Sequence, residues 1–123
     1  MKRYYILMNN KVRNEGVGGD PYFVTEWNVV PTRGEPIGDS CFYQSRKWCG
    51  EVWFFLYDAS TGTYICREPT LKDLKYQVES DEFNNRLEKV RKSDFYKLML
   101  RTFDKALKEY TERVKGGKKN DIR

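Results

Sequence analysis

The hydrophobic pattern of this chain changes its period at Pro69, and that change limits the fold more than any other feature. Before Pro69, runs of β-branched and aromatic residues alternate with segments rich in Gly and Pro, as in strands joined by turns. After it, apolar residues recur every three or four positions, as in amphipathic helices. A chain of 123 residues has the length of one typical domain. We therefore predict a single α+β domain with a sheet half (1–69) and a helical half (70–117), followed by a flexible basic tail (118–123).

The sheet half predicts a roughly five-stranded antiparallel sheet, built as a meander or a stack of hairpins. The predicted strands cover residues 4–8, 22–30, 41–46, 51–58 and 63–67. Two loops are expected between the first three strands, at 9–21 and 32–39, because each of these segments contains at least two glycines and a proline.

The predicted strand 51–58 is apolar on both of its faces. Val52, Phe54 and Leu56 point to one side, and alternation directs Trp53, Phe55 and Tyr57 to the other. Helices packed on the sheet cover only one of these faces, and large apolar patches are rare on monomers. The second face therefore needs a cover, which is the rest of a curled sheet, a second subunit or a ligand. A homodimer is expected on this basis.

Two or three C-terminal helices are expected to pack on the sheet. Thr70, Ser80 and Ser93 each precede an apolar helical pattern and are typical N-cap residues. The third helix is the longest and is predicted to end at Gly116 and Gly117, because glycine commonly terminates helices. The sequence leaves open whether the second and third helices are continuous.

The sequence contains no histidine, which excludes the usual Ser-His-Asp and Cys-His nucleophile systems and all His-based metal sites. No metal, no cofactor and no catalytic residue is predicted. The three cysteines are expected to be reduced thiols, although a Cys41–Cys49 bridge across a hairpin is an alternative. The chain shows no signal peptide and no membrane-spanning run, so a cytoplasmic protein is expected.

The net charge of +5 lies entirely in residues 70–123, the helical half with its tail, where 15 basic residues outnumber 10 acidic ones. Four cations recur along one face of the third helix and suit a row of phosphates: Lys97, Arg101, Lys105 and Lys108. Alternatively, neighbouring carboxylates one helical turn away neutralise the stripe. The pairs concerned are Asp104–Lys108, Lys105–Glu109 and Glu109–Arg113.

Several other residues have the chemistry of a nucleotide site. Arg113 lies at the border of the apolar arc, where it either reaches into a cleft between helix and sheet or packs its stem along the core edge. Arg86 follows the aromatic Phe83 on the second helix. The segment 44–48 is predicted to be a contact turn with cations and Trp48, or else a polar hairpin end whose Trp48 packs inward.

From these patterns we predict a small non-catalytic binding protein that captures an anionic, nucleotide-like ligand. Arg86, Arg101, Lys105 and Arg113 would supply charge, and Phe83, Trp27 or Trp48 a stacking face. Small His-free chains without motifs are common among phage and mobile-element accessory proteins, which suggests sequestration of a host nucleotide signal. The alternatives are a nucleic-acid-binding protein or an anti-CRISPR-like inhibitor of a host nuclease, working through the stripe, and a small His-free nuclease.

Overall fold

The computed structural model describes residues 1–15 and 21–121, with side chains described for residues 1–10 and 26–115. A five-stranded antiparallel sheet in the order β1-β2-β3-β4-β5 is followed by three helices, which confirms the predicted α+β fold. The strands are β1 (Lys2–Glu15), β2 (Pro21–Ile37), β3 (Cys41–Trp48), β4 (Glu51–Asp58) and β5 (Thr63–Glu68). The helices are α1 (Leu71–Glu79), α2 (Asp81–Arg91) and α3 (Asp94–Asp121).

The first two strands are much longer than predicted, and most of the two expected loops is strand. β1 and β2 pair without interruption from Lys2 opposite Gly34 to Glu15 opposite Pro21. Gly34 does not mark a turn, because it lies within β2 opposite Lys2. A Cβ at that position would lie 2.8 Å from the Phe42 ring. Glycine therefore permits a close approach within the sheet. Residues 16–20 of the first predicted loop lie outside the described residues.

The sheet curls until β1 meets the β4–β5 turn. The Leu7 amide donates a hydrogen bond of 2.9 Å to the carbonyl oxygen of Gly62 in that turn. Gly62 has a φ of +68°, and a Cβ on it would lie 2.5 Å from the Tyr5 carbonyl oxygen. Only glycine meets both conditions without a shift of the backbone.

The two faces of the curled sheet have different covers. On the helix face, Leu56 packs with Leu74 of α1 and Phe83 of α2, while Leu7 of β1 packs against Phe103 of α3. On the opposite face, which we call the aromatic face, the residues Phe42, Phe55 and Tyr57 form a buried cluster beneath Tyr4 and Ile6. Of the three covers predicted for β4, the curl of the sheet is the one that the described residues show.

The predicted helix starts are confirmed by their caps. The side-chain oxygens of Thr70, Ser80 and Ser93 each accept a hydrogen bond from the backbone amide three residues further along the chain, at 3.1 to 3.2 Å. Lys92 ends α2, so the second and third helices are separate. The end predicted at Gly116 and Gly117 is wrong, because α3 continues to Asp121. A mid-helix glycine costs only about 1 kcal/mol. Residues 122–123 of the predicted tail lie outside the described residues.

A buried carboxylate ties the end of β4 to the junction of α2 and α3. Asp58 accepts hydrogen bonds from the Tyr96 hydroxyl and from the Ser60 amide, both at 2.8 Å. The Arg91 guanidinium lies 3.6 Å from the same carboxylate and donates a hydrogen bond to the Ser40 hydroxyl. These partners satisfy a charge that would otherwise be costly to bury.

All three cysteines are free thiols, as predicted. The alternative Cys41–Cys49 bridge is wrong, because Cys41 begins β3 and Cys49 follows its last residue. An extended strand of that length separates the two residues by roughly 25 Å, whereas a disulfide requires Cα atoms within about 7 Å. Within the described ranges, no helix is long and apolar enough to cross a membrane.

Candidate functional site

The outer part of the aromatic face, near the ends of β3, β4 and β5, is covered by neither helices nor other strands. Trp48 is 46% exposed and Tyr64 is 49% exposed. Cross-strand pairing places Arg46 opposite Trp53 and Arg67 opposite Phe55. Alternation along the strands therefore brings one set of side chains to this side of the sheet. We call this set, formed by Arg46, Trp48, Trp53, Tyr64 and Arg67, the arginine–aromatic surface.

Two groups of aromatic rings lie on this face, and Trp53 of the first packs against the buried cluster of the second. Trp48 and Trp53 meet edge to face with ring centroids 6.2 Å apart. Tyr64 contacts the Phe55 ring at 6.1 Å and the Tyr57 ring at 6.0 Å. Tyr57 in turn stacks on Phe42 at 5.2 Å. Such ring pairs stabilise one another beyond the area they bury, so the exposed rings have a rigid base.

Two guanidinium groups lie over these rings. The Cζ atom of Arg46 is 4.4 Å from the Phe55 centroid, and its Nη2 donates a hydrogen bond of 3.0 Å to the Tyr57 hydroxyl. Burial raises the pKa of Tyr57, although Arg46 opposes the shift, so the hydroxyl stays protonated near neutral pH. The Cζ atom of Arg67 is 4.1 Å from the Trp48 centroid and 5.3 Å from that of Trp53.

Among the described side chains, no carboxylate lies within 4.0 Å of either guanidinium. The salt bridges found among the described residues are Met1–Glu35, Arg91–Asp58 and Lys92–Glu88, and none involves Arg46 or Arg67. A guanidinium carries five N–H donors, of which Arg46 uses one. Cation–π contact therefore holds two positive charges in place and leaves most of their donors available to an anion.

A second candidate is a cavity of about 540 Å³ between the β1–β2 hairpin and α3, which we call the helix cleft. It brings together three residues predicted from the sequence, Trp27, Lys105 and Arg113. The Arg113 guanidinium also lies 5.7 Å from the Tyr110 ring centroid. Glu26 and Glu109 line the same cavity, so its cations and carboxylates balance.

The basic stripe of α3 is exposed to solvent along its length. None of Lys97, Arg101, Lys105 and Lys108 takes part in the three salt bridges of the described chain. The one-turn pairs that the sequence offered as neutralising partners are therefore not within 4.0 Å. Of the two central cations of the stripe, Lys105 lines the helix cleft and Arg101 does not.

The remaining predicted residues lie apart from the helix cleft. Phe83 is buried in the core of the helix face. Together with Trp27 and the exposed Arg86, it lines a third cavity, between β5, α2 and α3. The Asn84 amide, next to Phe83, donates to the carbonyl oxygens of Val78 and Ser80 and is engaged within the chain. Trp48 lies on the opposite side of the sheet from all of them.

The sequence identified only part of the arginine–aromatic surface. Segment 44–48 was predicted to be a turn, whereas it belongs to strand β3, and the alternative that Trp48 packs inward is wrong because the ring is exposed. The contributions of Arg67 and Tyr64 were missed. Their spacing hides the shared face, because the pairing of β4 with β5 shifts register between Leu56 and Tyr57.

Comparisons with known proteins identify no relative: no family model, no curated protein and no solved structure matches the chain. Within the described residues, no group of three carboxylate or thiol side chains is placed to hold a metal ion. The function must therefore be inferred from the geometry of the surfaces themselves.

Proposed function

We propose that this protein is a non-catalytic binding protein that takes up single-stranded nucleic acid on the arginine–aromatic surface. The observation that carries the proposal is that Arg46 and Arg67 are held over aromatic rings and have no carboxylate partner among the described side chains. Single strands expose bases that stack on aromatic side chains, and guanidinium groups bind the phosphates between them. A paired duplex does not offer its base faces in this way.

The rings and the arginines of the surface have different roles in the proposed binding. Trp48 and Tyr64 have the most exposed rings and serve as stacking platforms. Arg46 and Arg67 flank β4 on neighbouring strands and bind phosphate oxygens. Because the rings beneath them already fix the guanidinium groups, little side-chain freedom is lost on binding.

The charge of the whole chain favours the same class of partner. A net charge of +5 attracts a polyanion from a distance. The α3 stripe lies on the helix side of the sheet and adds a sequence-independent surface, the one that the sequence predicted for nucleic acid. A strand bound on the aromatic face does not reach it, so the two surfaces can be tested separately.

The test is fluorescence anisotropy with a labelled oligothymidylate of about 12 nucleotides, a length within the usual site sizes, over a series of salt concentrations. Arg46→Ala and Arg67→Ala should each weaken binding and make the salt slope shallower by about 0.7. The matched control is Lys47→Ala, which removes the same charge one residue from Arg46, on the opposite side of the strand.

The control should bind nearly as well as the unmodified protein. If Lys47→Ala weakens binding as much as Arg46→Ala, only net charge matters and the proposed surface is wrong. If Arg101→Ala with Lys105→Ala removes binding while the sheet variants retain it, the α3 stripe is the interface instead.

A second candidate function is capture of a nucleotide-like anion in the helix cleft, where Trp27, Lys105 and Arg113 converge. Sequestration of a nucleotide signal from a host belongs to this candidate. The attraction of this cavity for an anion is weaker than that of the arginine–aromatic surface, because Glu26 and Glu109 line the same cavity. In calorimetric titrations with AMP, Arg113→Gln should lower the affinity about tenfold, whereas Arg67→Ala should leave it unchanged. Absence of AMP binding would remove this candidate without affecting the first.

Two further expectations remain predictions. Exposed Trp, Tyr and Arg side chains also dominate protein–protein interfaces, so inhibition of a host nuclease would use the same surface. A homodimer is the other, and light scattering measures it directly.

A further inference from the structure

The cavity between β5, α2 and α3 lies on the helix face, where it shares Trp27 with the helix cleft and Tyr64 with the arginine–aromatic surface. Its volume is about 650 Å³, within the range of about 300 to 1,000 Å³ that is usual for small-molecule sites. Phe83 and Met99 form part of its buried wall. At the rim, Val90 is half exposed and Phe95 is 68% exposed, so large apolar side chains surround an open space.

The polar groups in the deep part of this cavity are already satisfied or neutral. Asp58 accepts the hydrogen bond from the Tyr96 hydroxyl and faces the Arg91 guanidinium. Burial raises the pKa of the Cys66 thiol, and the nearby Glu68 adds to the shift while Arg86 opposes it. The thiol therefore stays protonated near neutral pH and acts as a weakly polar part of the wall.

Arg86 is the exception, because its guanidinium lines the cavity but belongs to none of the salt bridges that the described chain forms. The other charged lining residue, Asp58, is paired within the fold. An apolar space with one free cation at its edge is complementary to a molecule with an apolar chain and a negative head. Covering Val90 and Phe95 would add hydrophobic stabilisation.

We propose that this cavity binds a free single-chain amphiphile with an acidic head group, its chain lying between α2 and α3 and its head hydrogen-bonded to Arg86. This site shares Tyr64 with the arginine–aromatic surface but contains neither of its guanidinium groups, so Arg86→Gln and Arg46→Ala test the two sites separately. The apolar wall provides most of the affinity, and Arg86 selects the sign of the head group.

The test compares three probes with the same chain and different heads: dodecanoate, dodecanol and dodecyltrimethylammonium, each below its micellar concentration. Calorimetry should show saturable binding of dodecanoate, weaker binding of dodecanol and the weakest binding of the cation. Arg86→Gln should weaken dodecanoate binding at least about tenfold. Lys72→Gln removes the same charge from an exposed site on α1, outside the cavity, and should change nothing.

A second measurement locates the site. In a Cys49→Ser variant the accessible thiol is Cys66, because Cys41 is buried and its pKa is raised to about 11. Saturating dodecanoate should slow alkylation of Cys66 by iodoacetamide at least about fivefold. Equal affinity for the anionic and cationic probes, or unchanged Cys66 alkylation, would overturn the proposal.

Two other occupants have distinct outcomes. A dimer that Phe95→Ser dissociates, in a protein that does not bind dodecanoate, would make the rim a subunit interface. Binding to phosphatidylglycerol vesicles without binding of free dodecanoate would make it a membrane contact. Either result overturns the proposal.

Discussion

The two faces of β4 are equally apolar in sequence and differ in what covers them. Leu56 faces the helices and is fully buried by α1 and α2. Tyr57, the next residue, is also buried, but its neighbours are rings from within the sheet, including Phe42 and Tyr4. A strand that is apolar on both faces therefore does not require a second layer. The cover formed by rings ends at Trp48 and Tyr64, and the proposed binding surface lies there.

The polar groups of the two faces differ as well. On the helix face, the Asp58 carboxylate has a hydroxyl, an amide and a guanidinium as partners, which is typical of a network that stabilises a fold. On the aromatic face, Arg46 and Arg67 contact rings and have no carboxylate partner within 4.0 Å among the described residues. The Asp58 network is therefore structural, whereas the charges of Arg46 and Arg67 are available to a ligand.

The largest expected effect tests whether both faces contribute to stability. Phe42→Ala should lower the free energy of unfolding by about 4 kcal/mol and Leu56→Ala by about 3 kcal/mol, because both side chains are fully buried. Urea denaturation measures both. The control is Val52→Ala, on the same strand as Leu56 but half exposed, which should cost less than about 0.5 kcal/mol. A small effect of Phe42→Ala would mean that the aromatic face does not form a core.

The next effect on the free energy of unfolding tests the contact of β1 with the β4–β5 turn, which closes the curled sheet. Gly62→Ala should cost about 3 kcal/mol, because a positive φ is combined with a Cβ only 2.5 Å from the Tyr5 carbonyl oxygen. Gly50→Ala is the matched control: Gly50 has a φ of +81° but nothing within 4 Å of the added Cβ. It should cost about 1 kcal/mol. Equal losses in thermal or urea unfolding would show that β1 does not close against the turn.

A pH dependence distinguishes the buried helix face. Burial, with a smaller contribution from Asp58, raises the pKa of Cys41 from an ordinary value near 9 to about 11. The unfolded chain then loses this proton at a lower pH than the folded chain. The stabilisation is therefore complete below pH 9 and is lost as the pH rises from 9 to 11, by about 2 kcal/mol.

The measurement compares urea unfolding of the unmodified protein and of Cys41→Ala at several pH values. The variant starts less stable, but its stability should fall less steeply between pH 9 and 11. Parallel curves would contradict a buried, protonated Cys41. Tyr57, Cys66 and Tyr96 also have raised pKa values, and they contribute equally to both curves.

The smallest expected effect concerns the exposed rings. Trp48→Ala should weaken binding of the oligothymidylate probe by about 1 to 3 kcal/mol, the usual contribution of one stacked base. Because Trp48 is nearly half exposed, the free energy of unfolding should change by less than about 1 kcal/mol. Trp48→Phe retains a stacking face and should recover most of the affinity. A stability loss as large as that of Phe42→Ala would assign Trp48 to the core.

The division into strands and helices could be read from local patterns. β4 was predicted residue for residue, and Thr70, Ser80 and Ser93 were identified as caps, since alternation and capping depend on neighbours within four positions. The extension of β1 and β2 through glycine-rich segments could not be read in this way. Gly34 looks like part of a loop until Phe42 is placed beside it.

The candidate site divides along the same line. Trp27, Lys105 and Arg113, which the sequence predicted for one ligand site, line a single cleft, and the carboxylates that balance them come from a strand and a helix: Glu26 of β2 and Glu109 of α3. The arginine–aromatic surface was mostly missed, because its members lie on three strands. Tyr64 and Arg67 are three residues apart, so simple alternation places them on opposite faces, and only the register shift brings them to the same face.

What the amino-acid order alone determined is the α+β class, the antiparallel sheet, the helix starts and the lack of histidine chemistry, all of which follow from composition and short-range periodicity. Tertiary structure decided which apolar face of β4 received the helices and which received rings, and which cations found carboxylates. Those outcomes depend on residues far apart in the chain, whose encounter is set by the curl of the sheet.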